Sequence, residues 1–240
     1  VKLLDDVLAR LVIDAGIQVI LIAGNHDSAE RIGFGGRIFG RQRLHLRGTL
    51  GDLSPIVLTD AHGEIAFHPL PYVEPLFARA LPGGDAVSDH QSAMTHALSV
   101  VRAHLQPGRR NVLVGHAFVA GGSESESERP LSVGGSGQVS VDTFAGFDYV
   151  ALGHLHRPQR VGSDHIRYAG SLLKYSFNEV DHTKGVTLVD IGADGTPVVR
   201  NIALAPRHDV RIIRGTLSEL LSQPDPVLPR DDYLCAHLTD

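Results

Sequence analysis

The 240-residue sequence has a single cysteine, Cys235, so no disulfide can close within the chain. A reducing, cytoplasmic setting is the expectation. No apolar run approaches the roughly 20 residues that a membrane-spanning helix needs. The first residues form an amphipathic pattern where a secretion signal would be basic and then apolar. Basic charge is not in excess: 22 Lys and Arg stand against 27 Asp and Glu, for a net charge of −5. That excludes a global basic footprint for nucleic acid, so any such contact is local or runs through metal. An initiating methionine is also missing. The chain starts at Val1 inside a helical pattern and ends in DDYLCAHLTD, which reads as a strand cut short. The expectation is a fragment at both ends.

What is present is a chain that is 42% hydrophobic, enough for a core, with 14 histidines. That histidine content points to metal or acid–base chemistry. Leu3, Leu4, Val7, Leu8, Leu11 and Val12 follow helical spacing, with Gly16 at the capping position. IQVILIA (17–23) then reads as a strand buried on both faces. Residues 92–105 repeat the helical pattern through Met94, Ala97, Leu98, Val101 and Leu105, with Ser88 or Asp89 as cap. NVLVGH (111–116) and DYVALGHLH (148–156) read as further apolar strands. LHLRGTL (44–50), PIVLTD (55–60) and EIAFHPL (64–70) read as strands of the same mixed α/β sheet. HIRYAG, GVTLVDIG and TPVVRNIAL, with turns at 162–164 and 193–195, suggest antiparallel strands flanking it. Residues 121–138 are Gly/Ser-rich and acidic, hence a loop, and SESESE (123–128) reads as its solvated part. A boundary near Pro206 separates residues 1–205 from a new strand–helix unit at 206–240.

Three apolar strands end in glycine followed by a coordinating residue: IAG before Asn25 and His26, LVG before His116, and ALG before His154, Leu155 and His156. Open α/β sheets bind ligands at the carboxyl ends of their strands. Glycine there lets the chain turn and lets a ligand approach the backbone. In extended backbone His154 and His156 share a face, as a pair of metal ligands would. Alone, each signal is weak, since Asn-His after glycine also suits a turn. Together, the three strand ends point to one shared site. Imidazoles with an amide oxygen suit Mn, Fe or Zn better than Ca or Mg. No thiolate accompanies them, so a structural zinc site is not indicated. All these ligands are neutral, and the site reads as half complete. Asp27, Asp60 and Asp148 are near strand ends, but no spacing marks them.

GNHD, then GH, then GHLH resembles the later motifs of the calcineurin-like metallophosphoesterases. GHAFVAGG (115–122), SESERPLSVGG (125–135), VSVDTFAGFDYVALGHLHRPQ (139–159) and YAGSLLKYSFNE (168–179) narrow the resemblance to SbcD-type nuclease subunits. Leu172 departs from it, where related sequences carry proline. The resemblance implies a metallophosphoesterase-type mixed β-sheet sandwich flanked by helices, followed by the start of an α+β cap domain at 206–240. It implies that Asn25, His116, His154 and His156 bind two divalent metal ions, most readily Mn²⁺. His26 would be the catalytic histidine at the leaving oxygen, oriented by Asp27. The family's Asp-x-His and Gly-Asp-x-x-Asp motifs are expected upstream of Val1. DNA and an SbcC-type ATPase subunit are the implied partners, in a homodimer within a heterotetramer.

Arg37, Arg41, Arg43 and Ser171 are further candidates for contact with DNA phosphates. The remaining histidines show no convergent spacing. Besides a metal-dependent DNA nuclease subunit, two readings stay open. One is a metallophosphoesterase for a small substrate, which the generic GNH and GHxH motifs would allow. The other is a non-catalytic scaffold, which the missing carboxylates would suit.

Overall fold

A computed structural model describes residues 2–128, 137–222 and 231–240. The remaining part of the SESERPLSVGG motif, from Arg129 to Gly135, lies outside the described residues. In chain order the elements are α1 (Lys2–Ala9), β1 (Val19–Ile22), α2 (Ala29–Gly33), α3 (Gly36–Phe39), β2 (Leu44–Arg47), β3 (Ile56–Asp60), β4 (Gly63–Leu70), α4 (Pro75–Ala78) and α5 (His90–Arg102). They continue with β5 (Arg110–His116), β6 (Phe118–Val119), β7 (Gln138–Val139), β8 (Tyr149–Gly153), β9 (Gln159–Val161), β10 (Ser163–Tyr168), β11 (Gly185–Ile191), β12 (Pro197–Ala203), β13 (Val210–Gly215), α6 (Leu217–Ser222) and β14 (Tyr233–Leu238). Among the described residues no helix is long and apolar enough to cross a membrane.

The central sheet has six strands in the order β3-β4-β5-β8-β10-β9. Its middle, β4-β5-β8-β10, is parallel, while β3 and β9 pair antiparallel at the two edges. α5 covers one face with Ala93, Met94, Ala97, Leu98 and Val101, the helical stripe expected from the sequence. Its start is fixed by a capping box: the Asp89 carboxylate accepts from Ser92 N–H, and the Ser92 hydroxyl accepts from Asp89 N–H. The β11–β12 hairpin covers the other face, where Val189, Ile191 and Val199 pack on Ile65, Val112 and Tyr149. The result is the mixed α/β sandwich that the sequence implies. At the end opposite the glycine-ended strands, Asp60 is paired to Arg110, and Asp148 accepts from Asn111 N–H. These two aspartates belong to the framework.

Two expectations fail. IQVILIA is not a strand buried on both faces: every residue of β1 is half-buried, and only Ala23 just after it is buried. β1 pairs with β2 in a two-stranded sheet of their own, so LHLRGTL stays outside the central sheet that it was expected to join, and among the described residues no strand occupies the other edge of β1. Gly16, at φ +65°, ends the helical run as expected. The 206–240 unit is a β13–α6–β14 crossover whose strands pair in parallel from Val210↔Tyr233 to Gly215↔Leu238. The closing stretch contains a strand, β14, paired along one edge with β13. Lys174 ties this unit to the sandwich through Asp209, at 3.0 Å.

Beyond β5 one side-chain hydroxyl bridges two backbone groups of the chain. Tyr168 Oη donates to Ala117 O at 2.7 Å and accepts from Val119 N–H at 2.9 Å, fully inside the core. A Tyr168→Phe exchange leaves both backbone groups buried and unpaired. It is expected to cost about 1–3 kcal/mol in denaturant unfolding, with little change in helix content by circular dichroism.

Candidate functional site

The parallel strands bring their carboxyl ends to one edge. β5 and β8 run in register so that His116 stands opposite Gly153. Ala23, at the end of β1, accepts from Tyr72 N–H at 2.9 Å, which fastens that strand end beside the end of β4. Asn25, His116 and His154 meet as a result. His116 Nε2 lies 2.8 Å from Asn25 Oδ1, and the His116 and His154 rings are 5.4 Å apart at a steep angle. The Tyr72 ring stands edge-on to His116.

The glycines serve a different purpose from the one the sequence suggested. A Cβ at Gly24 would sit 2.6 Å from His116 Cε1, and one at Gly153 would sit 3.0 Å from His116 Nδ1. Both are closer than real Cβ atoms comfortably approach a ring. These two positions are bare to admit the imidazole of His116, where the sequence suggested room for a ligand. Gly115 has no such neighbour, its nearest side-chain atom being 3.7 Å from a built Cβ.

The HxH pair also departs from expectation. β8 ends at Gly153, and His154 takes φ +115°, a strained value for a side-chain-bearing residue. The pair is therefore not two alternate positions of an extended strand. Leu155 turns into the core at 2% exposure, while His154 faces His116. His156 enters a separate polar cluster, where its Nδ1 lies 2.7 Å from Ser127 Oγ and 3.1 Å from Glu179 Oε1. Glu179 is fully buried and paired to Lys184 at 2.6 Å. Lys184 Nζ also donates to His156 O and to Ser171 Oγ, each at 2.8 Å.

Burial is the main cause that lowers His116, to about 3, with the positive charge that His154 and His26 would carry adding to it. His154 is lowered to about 4, again chiefly by burial and then by His156 and His26. The cluster is thus neutral imidazole at ordinary pH, the form that binds metal. Burial pushes Glu179 up. The hydrogen bonds from Lys184, Ser127 and His156, with the Lys184 charge, outweigh it and hold the carboxyl down at about 2.

His26 is exposed, yet close enough for its charge to be felt by both His116 and His154. Asp27 does not bond to it among the described residues: its carboxylate accepts from Gly24 N–H at 2.8 Å and so closes the turn that carries Asn25 and His26. Arg37 and Arg41 are exposed, but Arg43 donates to the Gly16 carbonyl at 2.5 Å and so clamps the end of the first helical run. Ser171 is absorbed into the Lys184 cluster and donates to Leu173 O. Glu124 and Glu126 are solvated, as the acidic loop was expected to be. Ser127 and Glu128 are not, since both fold against His156. Glu179, Lys184 and Ser127 went unread in the sequence, because nothing local marks an acid or a lysine that will be buried.

The three donors that meet, Asn25, His116 and His154, fit a divalent transition ion in kind: two neutral imidazoles and an amide oxygen. In number they are a partial set. Among the described residues no three His, Cys, Asp or Glu side chains stand close enough to enclose an ion.

His116 and His154 stay unprotonated in the fold, whereas in the unfolded chain they take up protons near pH 6.5. The unfolded state therefore binds more protons below that pH. Metal-free protein is expected to hold its stability above about pH 7 and to lose it as the pH falls through 6.5 towards 4. Urea unfolding across that range, with His116→Asn flattening the slope, checks this. A Gly24→Ala exchange is expected to displace the His116 ring and lengthen its 2.8 Å contact with Asn25, which imidazole ¹⁵N shifts of His116 check.

No family model matches the chain. A curated relative does: the chain is 31% identical over 241 residues to the SbcD subunit of the nuclease SbcCD from Staphylococcus epidermidis. The match takes in 100% of this chain and 63% of the relative, so the chain spans a little under two thirds of that protein's length. Along its whole length the chain is similar in sequence to the SbcD subunit of the SbcCD nuclease.

Proposed function

We propose that these residues form part of a nuclease subunit that hydrolyses DNA phosphodiester bonds with divalent metal, Mn²⁺ foremost. The observation that carries this reading is the meeting of three strand ends around one imidazole. His116 lies between two glycines, 2.8 Å from Asn25, with His154 5.4 Å away. The similarity to a protein named as a nuclease supplies the substrate class.

Asn25, His116, His154 and His156 are the proposed ligands of two ions. When bound, the ions supply Lewis-acid stabilisation of the phosphoryl oxygens and an activated water. The chain's own contribution is positional and protonic. Burial keeps His116 and His154 unprotonated, so their lone pairs stay available. Asp27 holds the Gly24 turn and with it the placement of both Asn25 and His26. His26, solvent-accessible and one residue beyond a ligand, is placed to hold the proton that the departing oxygen needs. Arg37 and Arg41, both exposed, are the proposed phosphate contacts outside the centre. Residues 1–205 form the phosphoesterase unit and 206–240 open the cap, and an SbcC-type ATPase is the proposed partner.

A second, non-catalytic reading rests on the donor types: the four proposed ligands, Asn25, His116, His154 and His156, include no carboxylate. A cleavage assay on double-stranded DNA separates the two. His26→Ala is expected to lower Mn²⁺-dependent cleavage about 100-fold or more, while Mn²⁺ uptake by electron paramagnetic resonance survives. Loss of uptake would mean that His26 is a ligand. Cleavage that persists in the variant would remove its role as proton donor.

A further inference from the structure

Glu179 is the one acidic residue fully buried among the described residues, at 0% exposure. An ionised carboxylate there needs partners. Lys184 neutralises it through Oε2, and Oε1 faces Ser127 and His156. The same cluster grips the backbone of His156 on both sides. Its carbonyl accepts from Lys184 Nζ at 2.8 Å and from Ser171 N–H at 3.1 Å, while its N–H donates to Glu128 Oε1. His156 is therefore fixed at its N–H, its carbonyl and its ring.

The hydrogen-bond directions decide which ring nitrogen carries the proton. Ser127 Oγ donates its single proton to Glu179, so towards His156 it can only accept. Glu179 Oε1 is likewise an acceptor. Two acceptors around Nδ1 require the proton there, which in the neutral ring leaves the lone pair on Nε2. A metal-binding imidazole is commonly held in this way, with the second nitrogen donating to a carboxylate.

We propose that Glu179, backed by Lys184 and Ser127, is a positioning residue that holds His156 as the Nδ1–H tautomer and presents its Nε2 lone pair to a divalent metal ion. This rests on the reading of His156 as a ligand. Residues from four separate segments converge on this histidine: Ser127 and Glu128, Ser171, Glu179 and Lys184. A histidine that merely filled space would need none of that charge.

The test needs no turnover. Imidazole ¹⁵N shifts of His156 in the metal-free protein report the tautomer directly, and Mn²⁺ titration followed by electron paramagnetic resonance reports affinity. The unmodified protein is expected to show Nδ1–H. Removing acid and base together in Glu179→Leu/Lys184→Met avoids leaving one charge buried alone. That variant is expected to shift His156 towards Nε2–H and to weaken Mn²⁺ binding about 10- to 100-fold. Glu179→Gln/Lys184→Met restores an acceptor oxygen and is expected to restore much of the Nδ1–H signal. If the double variants do not fold, Ser127→Ala should move both readouts in the same direction by a smaller amount. An Nε2–H tautomer in the unmodified protein, or an unchanged tautomer in all variants, overturns the proposal. His156→Ala separates the two levels. Unchanged Mn²⁺ affinity there overturns the ligand reading, whereas lost affinity with Glu179 variants unaffected overturns only the role of Glu179.

Discussion

Three separate strand ends have to reach within the width of one imidazole ring, and the rest of this structure follows from that constraint. The His116 ring fills the space that a Cβ would take at Gly24 on one side and at Gly153 on the other. The parallel register that sets His116 against Gly153 is therefore not interchangeable with a neighbouring one, because a slip by one residue would bring a side chain into the ring. The Tyr72–Ala23 hydrogen bond and the Tyr168 bridge to Ala117 and Val119 act on the same edge. They fix the backbone on either side of the histidine and leave the ring itself to be located by the two glycines.

The electrostatics divide into two layers. In front, His116 and His154 are half-buried, and burial first, with repulsion between would-be cations second, keeps them neutral. Behind them, reached through His156, an ionised pair of Glu179 and Lys184 is shut away from solvent. The front layer offers lone pairs and carries no charge of its own that would oppose a cation. The rear layer adds a net charge near zero, so its effect is directional: it decides where protons sit, and it leaves the overall field of the site almost unchanged.

Much of this was legible in the sequence because it is written in local periodicity. The α5 stripe, the Asp89 cap, the apolar strands and the turns at Gly162 and Gly195 depend on residues a few positions apart. The glycine-then-histidine pattern pointed for the same reason to the strand ends where Asn25, His116 and His154 meet. What was not legible depends on distant partners. β1 looks fully buried as a string of letters, yet its burial is set by which strands flank it. Ser127, Glu179 and Lys184 are ordinary surface residue types, and only the fold brings them to His156 from 29, 23 and 28 positions away. Arg43 looked like a phosphate contact because charge is visible in sequence, while its role as a helix clamp is not.

The backbone at His154 carries a consequence of another kind. A φ of +115° suits glycine, and a histidine there strains the chain by an amount on the order of 1–3 kcal/mol. Natural drift towards greater thermal robustness would press for glycine at this position, which would relieve the strain and remove the imidazole together. Backbone ease and an imidazole facing His116 thus pull in opposite directions at a single residue, and selection for heat tolerance alone would be expected to remove this side chain first.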